Sequence, residues 1–185
     1  MAAEGANPAG ARARQHVPLE EYRHNLASIV DHLRLLHVPA IVLIGPPPIS
    51  EPDRITDVEK KYGVKLELPE RTNEVAGQYS GACKDVGQGQ RVPVLDLHTA
   101  FQQYEGWQRG LLDGGLHLTE RGNRTVFRLL QELVSSEFPS LLPAAMADDA
   151  PDLQQIDPAN PQAVFDDFYR SQELGGGAWP VSRHW

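Results

Sequence analysis

The stretch Ala40-Ile41-Val42-Leu43-Ile44-Gly45-Pro46-Pro47-Pro48 decides the fold class. Its continuous apolar run, rich in β-branched residues, is typical of a strand buried on both faces in a parallel sheet. The glycine and three prolines that follow predict a rigid loop where this strand ends. A second strand candidate is Val92-Pro93-Val94-Leu95-Asp96-Leu97, because a proline is tolerated near the start of a strand.

Helical periodicity surrounds both strand candidates. Pro18 can serve as the first residue of one amphipathic helix, residues 70–86 carry a second, and Thr119 with Glu120 can open a third. The apolar positions are Leu19, Tyr22, Leu26, Ile29, Val30, Leu33 and Leu36 in the first helix, Val75, Ala76, Tyr79, Ala82, Cys83 and Val86 in the second, and Val126, Phe127, Leu130, Leu133 and Val134 in the third. Residues 51–68 are mixed and charged and predict a solvated excursion with one helical turn near residues 58–62. The alternation of helices and strands predicts an α/β fold with helices on both faces of a parallel sheet.

The length and charge of the chain limit its organisation and its partners. A chain of 185 residues is long enough for one domain with a hydrophobic core, which we expect in residues 1–140. Residues 141–185 predict an irregular C-terminal tail, in which only residues 163–169 show a short helical pattern. The formal net charge of −8 repels phosphate backbones and anionic lipid, so we expect no nucleic-acid partner.

Motifs that the sequence lacks make several classes of function unexpected. The longest apolar run, residues 38–44, is too short to cross a bilayer, and the first residues carry no targeting pattern. The sequence contains neither metal-ligand spacing nor a phosphate-binding glycine loop, so we expect no metal and no cofactor. Cys83 is the single cysteine and cannot form an internal disulfide, which fits a reducing, cytoplasmic location.

Two polar residues lie where chemistry is expected in an α/β fold, in loops near the strands and helix starts. His117 lies in Asp113-Gly114-Gly115-Leu116-His117-Leu118-Thr119, a glycine-hinged loop before a helix that can present an imidazole beside a carboxylate. This arrangement suits a general base, and the alternative is a histidine that only caps or packs. Asn7, in Gly5-Ala6-Asn7-Pro8, can donate its amide to a developing oxyanion, or it can be a turn residue.

Several segments in order along the chain resemble one enzyme family. They are Gln15-His16-Val17-Pro18-Leu19-Glu20-Glu21-Tyr22, Pro46-Pro47-Pro48-Ile49, Arg71-Thr72-Asn73-Glu74, Asp113-Gly114-Gly115-Leu116-His117-Leu118-Thr119-Glu120-Arg121-Gly122-Asn123 and Ile156-Asp157-Pro158-Ala159-Asn160-Pro161. Together they are similar to the isoamyl-acetate-hydrolysing esterase branch of the GDSL/SGNH ester hydrolases, especially its plant members. The resemblance covers residues 5–168, and several ordered matches are more specific than any single motif.

The resemblance implies a flavodoxin-like, three-layer α/β/α fold and the hydrolysis of small carboxylic esters through an acyl-enzyme. In the family a serine in a Gly-Asp-Ser segment attacks the ester, a histidine acts as base, and an aspartate three residues earlier orients that histidine. A glycine N–H and an asparagine help the serine to hold the oxyanion. By this resemblance His117 matches the base and Asn7 matches the oxyanion asparagine.

The sequence departs from the family pattern in three places. The Gly-Asp-Ser block precedes the asparagine in the family, so we expect this chain to lack the nucleophile serine and the first strands of the sheet. Pro8 replaces the aspartate that usually follows the asparagine. Gly114 stands three residues before His117, and the nearest acid, Asp113, is displaced by one position.

These departures predict that the chain alone is inactive although its family is catalytic. An alternative is a non-catalytic binding or interaction module built on the hydrolase scaffold. A sheet without its first strands has an open edge, whose unpaired backbone groups favour self-association or pairing with a partner.

Overall fold

Residues 16–146, 148 and 150–174 are described by a computed structural model. The chain divides into two compact units, the first ending at Pro139 and the second beginning at Ser140. In the first unit the helices are α1 (Leu19–Leu35), α2 (Glu51–Tyr62), α3 (Asn73–Gln90), α4 (Leu97–Gln102), α5 (Trp107–Gly110) and α6 (Glu120–Glu137). Its strands are β1 (Leu43–Ile44), β2 (Val94–Leu95), β3 (Leu112–Asp113) and β4 (His117–Leu118).

Strands β1 and β2 form the parallel pair that the two apolar runs predict. Leu43 pairs with Val94 and Ile44 pairs with Leu95. The pairing is shorter than the predicted strands, because Pro93 has no N–H and cannot continue the ladder of hydrogen bonds toward the start of β1. The backbone of β1 reaches across to β2 at both ends, from the N–H of Leu43 to the carbonyl of Pro93 and from that of Gly45 to the carbonyl of Leu95.

Helices cover both faces of this pair, which confirms the α/β class. On one face α1 packs against α3, and the core there is built from Val30, Leu43, Cys83 and Val92. On the other face Leu95, Leu97, Phe101, Leu111 and Leu112 form a second core cluster. The apolar residues of α6 that pack on this second cluster are Val126, Leu129, Leu130 and Leu133.

Some features of the first unit differ from the sequence prediction. Helix α2 replaces the predicted solvated excursion. It begins after Ser50 with a proline in its first turn, and a left-handed Gly63 ends it. Only Val58 is buried along its length, so its apolar periodicity is too weak to predict a helix. Phe127, predicted on the apolar face of α6, is 62% exposed.

The second unit contains more helix than the irregular tail that the sequence predicts. Helix α7 (Pro161–Leu174) includes the predicted pattern of residues 163–169 and extends beyond it at both ends. Phe168 and Tyr169 pack edge to face on it, with ring centroids 5.5 Å apart. Among the helices of the described ranges, none is both long and apolar enough to cross a membrane.

Candidate active site

The antiparallel hairpin β3–β4 brings Asp113 directly opposite His117. These two residues are Cα partners, and Leu112 pairs with Leu118 in the same register. Directly opposed residues of an antiparallel pair point to the same face, with Cβ atoms roughly 4.5–5.5 Å apart. The acid that is displaced by one position in the sequence is therefore adjacent to the histidine in space. Both side chains are exposed, and within the described part of the chain no hydrogen bond or ion pair joins them.

The turn of this hairpin is held against the start of α2 by two glycines. Gly114 and Gly115 have φ of +55° and +70°, the left-handed region that glycine adopts without strain. The N–H of Ser50 donates to the carbonyl of Gly115 at 3.0 Å. A Cβ on Gly115 would lie 2.3 Å from the carbonyl oxygen of Ser50 and 2.6 Å from the backbone nitrogen of Arg54, so only glycine fits there.

Thr119 fixes the other end of the hairpin to α6. Its Oγ1 accepts from the N–H of Gly122 at 3.0 Å and donates to the carbonyl of Gly110 at 2.8 Å. A Cβ on Gly122 would lie 2.2 Å from the carbonyl oxygen of Leu111, so α6 approaches the backbone before β3 closely. Thr119 is thus the helix-opening residue that the sequence predicts, and His117 stands between two anchored segments.

A partly buried group of charged side chains lies behind the turn. Arg54 forms ion pairs with Asp57, at 3.2 Å, and with Glu70, at 2.5 Å. Lys61 reaches the other oxygen of Asp57 at 3.0 Å. Among the described residues, Oε2 of Glu70 is the one buried side-chain oxygen or nitrogen without a hydrogen-bond partner.

Two neighbouring cavities lie near the start of α2, and only the second is lined by residues of the hairpin. The first has a volume of about 510 Å³, and its lining includes Ile49, Ser50, Asn73 and Trp107. The second, of about 340 Å³, is lined by the hairpin residues Asp113, Gly114 and Gly115 together with Asp57. They share the residues Asp53, Gln108 and Arg109.

Asp53 and Arg109 form the charged part of the shared wall. Nε of Arg109 lies 3.0 Å from Oδ1 of Asp53, and the hydroxyl of Ser50 donates to Oδ2 at 2.5 Å. The hydrogen bond from Ser50 holds the pKa of Asp53 below its ordinary value, and Arg109 adds to this against the opposing effect of burial. Asp53 is therefore a stable anion at neutral pH and keeps the guanidinium in place.

Asn73 lines the first cavity, and the sequence does not predict its structural role there. Its Oδ1 accepts from the N–H of Ile49 at 3.0 Å, and its own N–H donates to Oε1 of Glu51 at 2.8 Å. Nε2 of His98 lies 3.1 Å from the same Oδ1. Asn73 thereby ties the end of the proline-rich loop to the start of α3. The only sequence signal for it is its place in the Arg71-Thr72-Asn73-Glu74 segment.

The two buried serines of the described residues, Ser50 and Ser80, donate hydrogen bonds to aspartates that have structural roles. The hydroxyl of Ser80 donates to Oδ1 of Asp96 at 2.7 Å, and that of Ser50 donates to Asp53. Burial alone would raise the pKa of Asp96, but hydrogen bonds from Lys84, Thr99 and Ser80 outweigh it and lower that pKa far below its ordinary value. Neither serine hydrogen-bonds to a histidine, so neither shows the pairing of an activated nucleophile.

The candidate oxyanion residue is Asn7. Asn7 and Gly5 are outside the described residues, so the role of Asn7 stays a prediction. No group of three or more histidine, cysteine, aspartate or glutamate side chains in the described ranges is arranged to hold a metal ion.

The chain is similar to a known protein family, to several of its members and to a solved structure. A model of the GDSL-like Lipase/Acylhydrolase family matches residues 3–125. Two GDSL esterase/lipases of Arabidopsis thaliana are 41% identical over 157 residues and 38% identical over 169 residues, which are 83% and 88% of this chain. An isoamyl acetate-hydrolyzing esterase 1 homolog of Homo sapiens is 39% identical over 138 residues.

The chain spans 63% and 69% of the length of the two Arabidopsis proteins and 52% of the human one. A lipase/acylhydrolase from Enterococcus faecalis has a similar structure, with a TM-score of 0.53 and 23% identity. The match covers 71% of this chain and 58% of the bacterial one, and it supports the three-layer fold.

Proposed function

The chain belongs to the GDSL-like lipase/acylhydrolase family, and from this premise we propose that it carries the general-base part of an ester-hydrolysing site. The observation that carries the proposal is the register of β3 and β4, which sets Asp113 opposite His117. The contacts of Gly115 with Ser50 and of Thr119 with α6 support it, because a base must be held in a fixed place.

The proposed mechanism gives each residue one task. His117 takes the proton of a serine hydroxyl as that oxygen attacks the ester carbonyl, and then passes the proton to the departing alcohol. Asp113 orients the imidazole and stabilises it while it is charged. Asn7 donates its amide to the oxyanion of the tetrahedral intermediate. Water then attacks the acyl-enzyme with His117 again as base, which releases the acid and restores the serine.

The serine in this mechanism is the one that the family carries in its Gly-Asp-Ser segment. The family resemblance puts that segment ahead of the asparagine, so the 185 residues by themselves are proposed to be inactive. Small carboxylic esters are the proposed substrates. The second cavity, of about 340 Å³ and lined by Asp113, supports this, since ligand sites of proteins are typically roughly 300–1,000 Å³.

Hydrolysis of p-nitrophenyl acetate and butyrate tests the proposal. The 185-residue chain is compared with a fusion in which a relative's Gly-Asp-Ser segment precedes it. We expect the chain alone to match its His117→Ala variant and the fusion to turn over both esters. Labelling by a fluorophosphonate probe is expected only in the fusion, at the added serine. A folded, soluble fusion without activity or labelling would contradict the proposal and favour a binding module.

We also propose that copies of the chain associate through the outer edge of β1. Within the described residues β1 pairs only with β2, and Ile44 is 47% exposed. Exposed apolar side chains beside an unpaired strand edge favour pairing between copies. Sedimentation velocity tests this: Ile44→Lys should abolish a concentration-dependent dimer, and Phe127→Lys, at another exposed apolar position, should not. A wild-type chain that stays monomeric at all concentrations would contradict the proposal.

A further inference from the structure

The space beside Gly114 is already filled by a carboxylate from another helix. Gly114 stands three residues before His117, where the family resemblance expects the orienting aspartate. A Cβ built on Gly114 would lie 2.7 Å from Cγ of Asp57 and 2.9 Å from each of its oxygens. Real Cβ atoms do not approach other heavy atoms this closely. A side chain at position 114 and the carboxylate of Asp57 therefore compete for the same place.

Asp57 is held in this place by two ion pairs. Its side chain is only 14% exposed, and both of its oxygens are engaged, one by Arg54 and the other by Lys61. Arg54 is itself bound to Glu70, so it cannot follow Asp57 away from the turn without breaking a second ion pair. The neighbouring Val58 is buried and anchors this part of α2. The carboxylate of Asp57 is thus a fixed part of the wall behind the hairpin.

We propose that Asp57 is a positioning residue for His117. Its carboxylate, which comes from α2, occupies the place beside the turn where the family resemblance expects the side chain of residue 114. The inference rests on the proposed function of His117. Asp57 acts through the turn: it packs against Gly114, and Arg54 beside it packs against Gly115. Asp113 then faces His117 across the hairpin, while Asp57 keeps the hairpin in that arrangement.

A carboxylate exchange between positions 57 and 114 tests this assignment in the active fusion. Asp57→Ala should lower kcat roughly 10- to 100-fold with little change in KM, the loss expected when a reacting group is misplaced by about 1 Å. Gly114→Asp alone should also lose activity, because two carboxylates then meet in one space. The double variant Asp57→Ala with Gly114→Asp should recover most of kcat, since aspartate tolerates a left-handed backbone.

The matched control is Asp57→Ala with Gly114→Asn, which has the same shape without the charge. It should stay as slow as Asp57→Ala alone. Equal recovery with asparagine would overturn the proposal, as would a Gly114→Asp variant that the removal of Asp57 does not improve. If Asp57→Ala does not fold, Asp57→Ser, which also frees the space beside Gly114, gives the same comparison.

Amide hydrogen exchange in the 185-residue chain provides a readout that needs no activity. The N–H of Ser50 donates to the carbonyl of Gly115, so its exchange rate reports the turn. We expect faster exchange in Asp57→Ala and in Gly114→Asp, and slower exchange again in the double variant. If this coupling is present but no fusion hydrolyses esters, the proposed function fails and the link between Asp57 and the turn stands. If exchange at Ser50 is the same in all variants, the Asp57 proposal fails whatever the activity.

Discussion

Neighbouring residues of β1 have opposite environments. Leu43 is 7% exposed and packs between α1 and α3, whereas Ile44, on the other face, is 47% exposed although its partner Leu95 is buried. Helix α6 packs on Leu95 of β2 and on the segment leading into the His117 hairpin, while Ile44 of β1 stays exposed. The hairpin is thus built on a buried core, whereas β1 carries an exposed apolar residue at Ile44.

The largest expected effect is on the closed core that supports the hairpin. Phe101→Ala should lower the free energy of unfolding by about 3–5 kcal/mol, because Phe101 is fully buried and its loss leaves a cavity beside Leu111. Urea denaturation followed by circular dichroism measures this. The matched control, Phe127→Ala, removes an exposed ring from α6 and should change stability by less than about 0.5 kcal/mol. Equal losses at the two positions would mean that α6 packs differently.

A smaller effect separates the two faces of β1 itself. Leu43→Ala should cost about 2–4 kcal/mol, since Leu43 belongs to the core formed with Val30 and Cys83. Ile44→Ala should cost less than about 1 kcal/mol, because much of that side chain is already in water. Urea midpoints of the two variants give the comparison. An Ile44→Ala cost as large as that of Leu43→Ala would show that a further segment covers Ile44.

The smallest effect is electrostatic and depends on pH. Asp96 caps α4 and binds Lys84 and Ser80, so its pKa in the folded chain lies below the value of about 3.9 in the unfolded chain. A carboxyl with a lowered pKa stabilises the fold above about pH 4, and this contribution is lost as the pH falls below that.

Asp96→Asn tests this contribution in thermal melts between pH 7 and pH 2. The variant should be about 1 kcal/mol less stable at pH 7 and should lose less stability on acidification than the wild type, because it no longer titrates at this position. Parallel acid profiles for the two proteins would rule out Asp96 as a source of the pH dependence.

The sequence predicts some of these features and not others, for physical reasons. A continuous β-branched run ended by glycine and prolines predicts β1, and Thr119 before an apolar stretch predicts α6, since both signals are local. Helix α2 buries only Val58, so its sequence carries no strong periodicity. Its ends depend instead on a proline in the first turn and on a left-handed glycine.

The candidate site is likewise predicted by the sequence only in part. Glycines before His117 predict a hinged loop, but the register that sets Asp113 opposite His117 depends on the length of the turn. The approach of Asp57 to Gly114 joins residues far apart in the chain, so no local pattern predicts it. The contact of Asn73 with the end of the proline-rich loop is tertiary for the same reason.

The role of His117 is tested most directly by the kcat of the fusion that carries the family's Gly-Asp-Ser segment, measured on p-nitrophenyl butyrate with and without His117→Ala. If His117 is the general base, the substitution should lower kcat by roughly 10³-fold or more, while circular dichroism and the urea midpoint stay unchanged, because His117 is exposed. A folded His117→Ala fusion that keeps kcat within about threefold of its parent, less than 1 kcal/mol of barrier, would contradict the assignment.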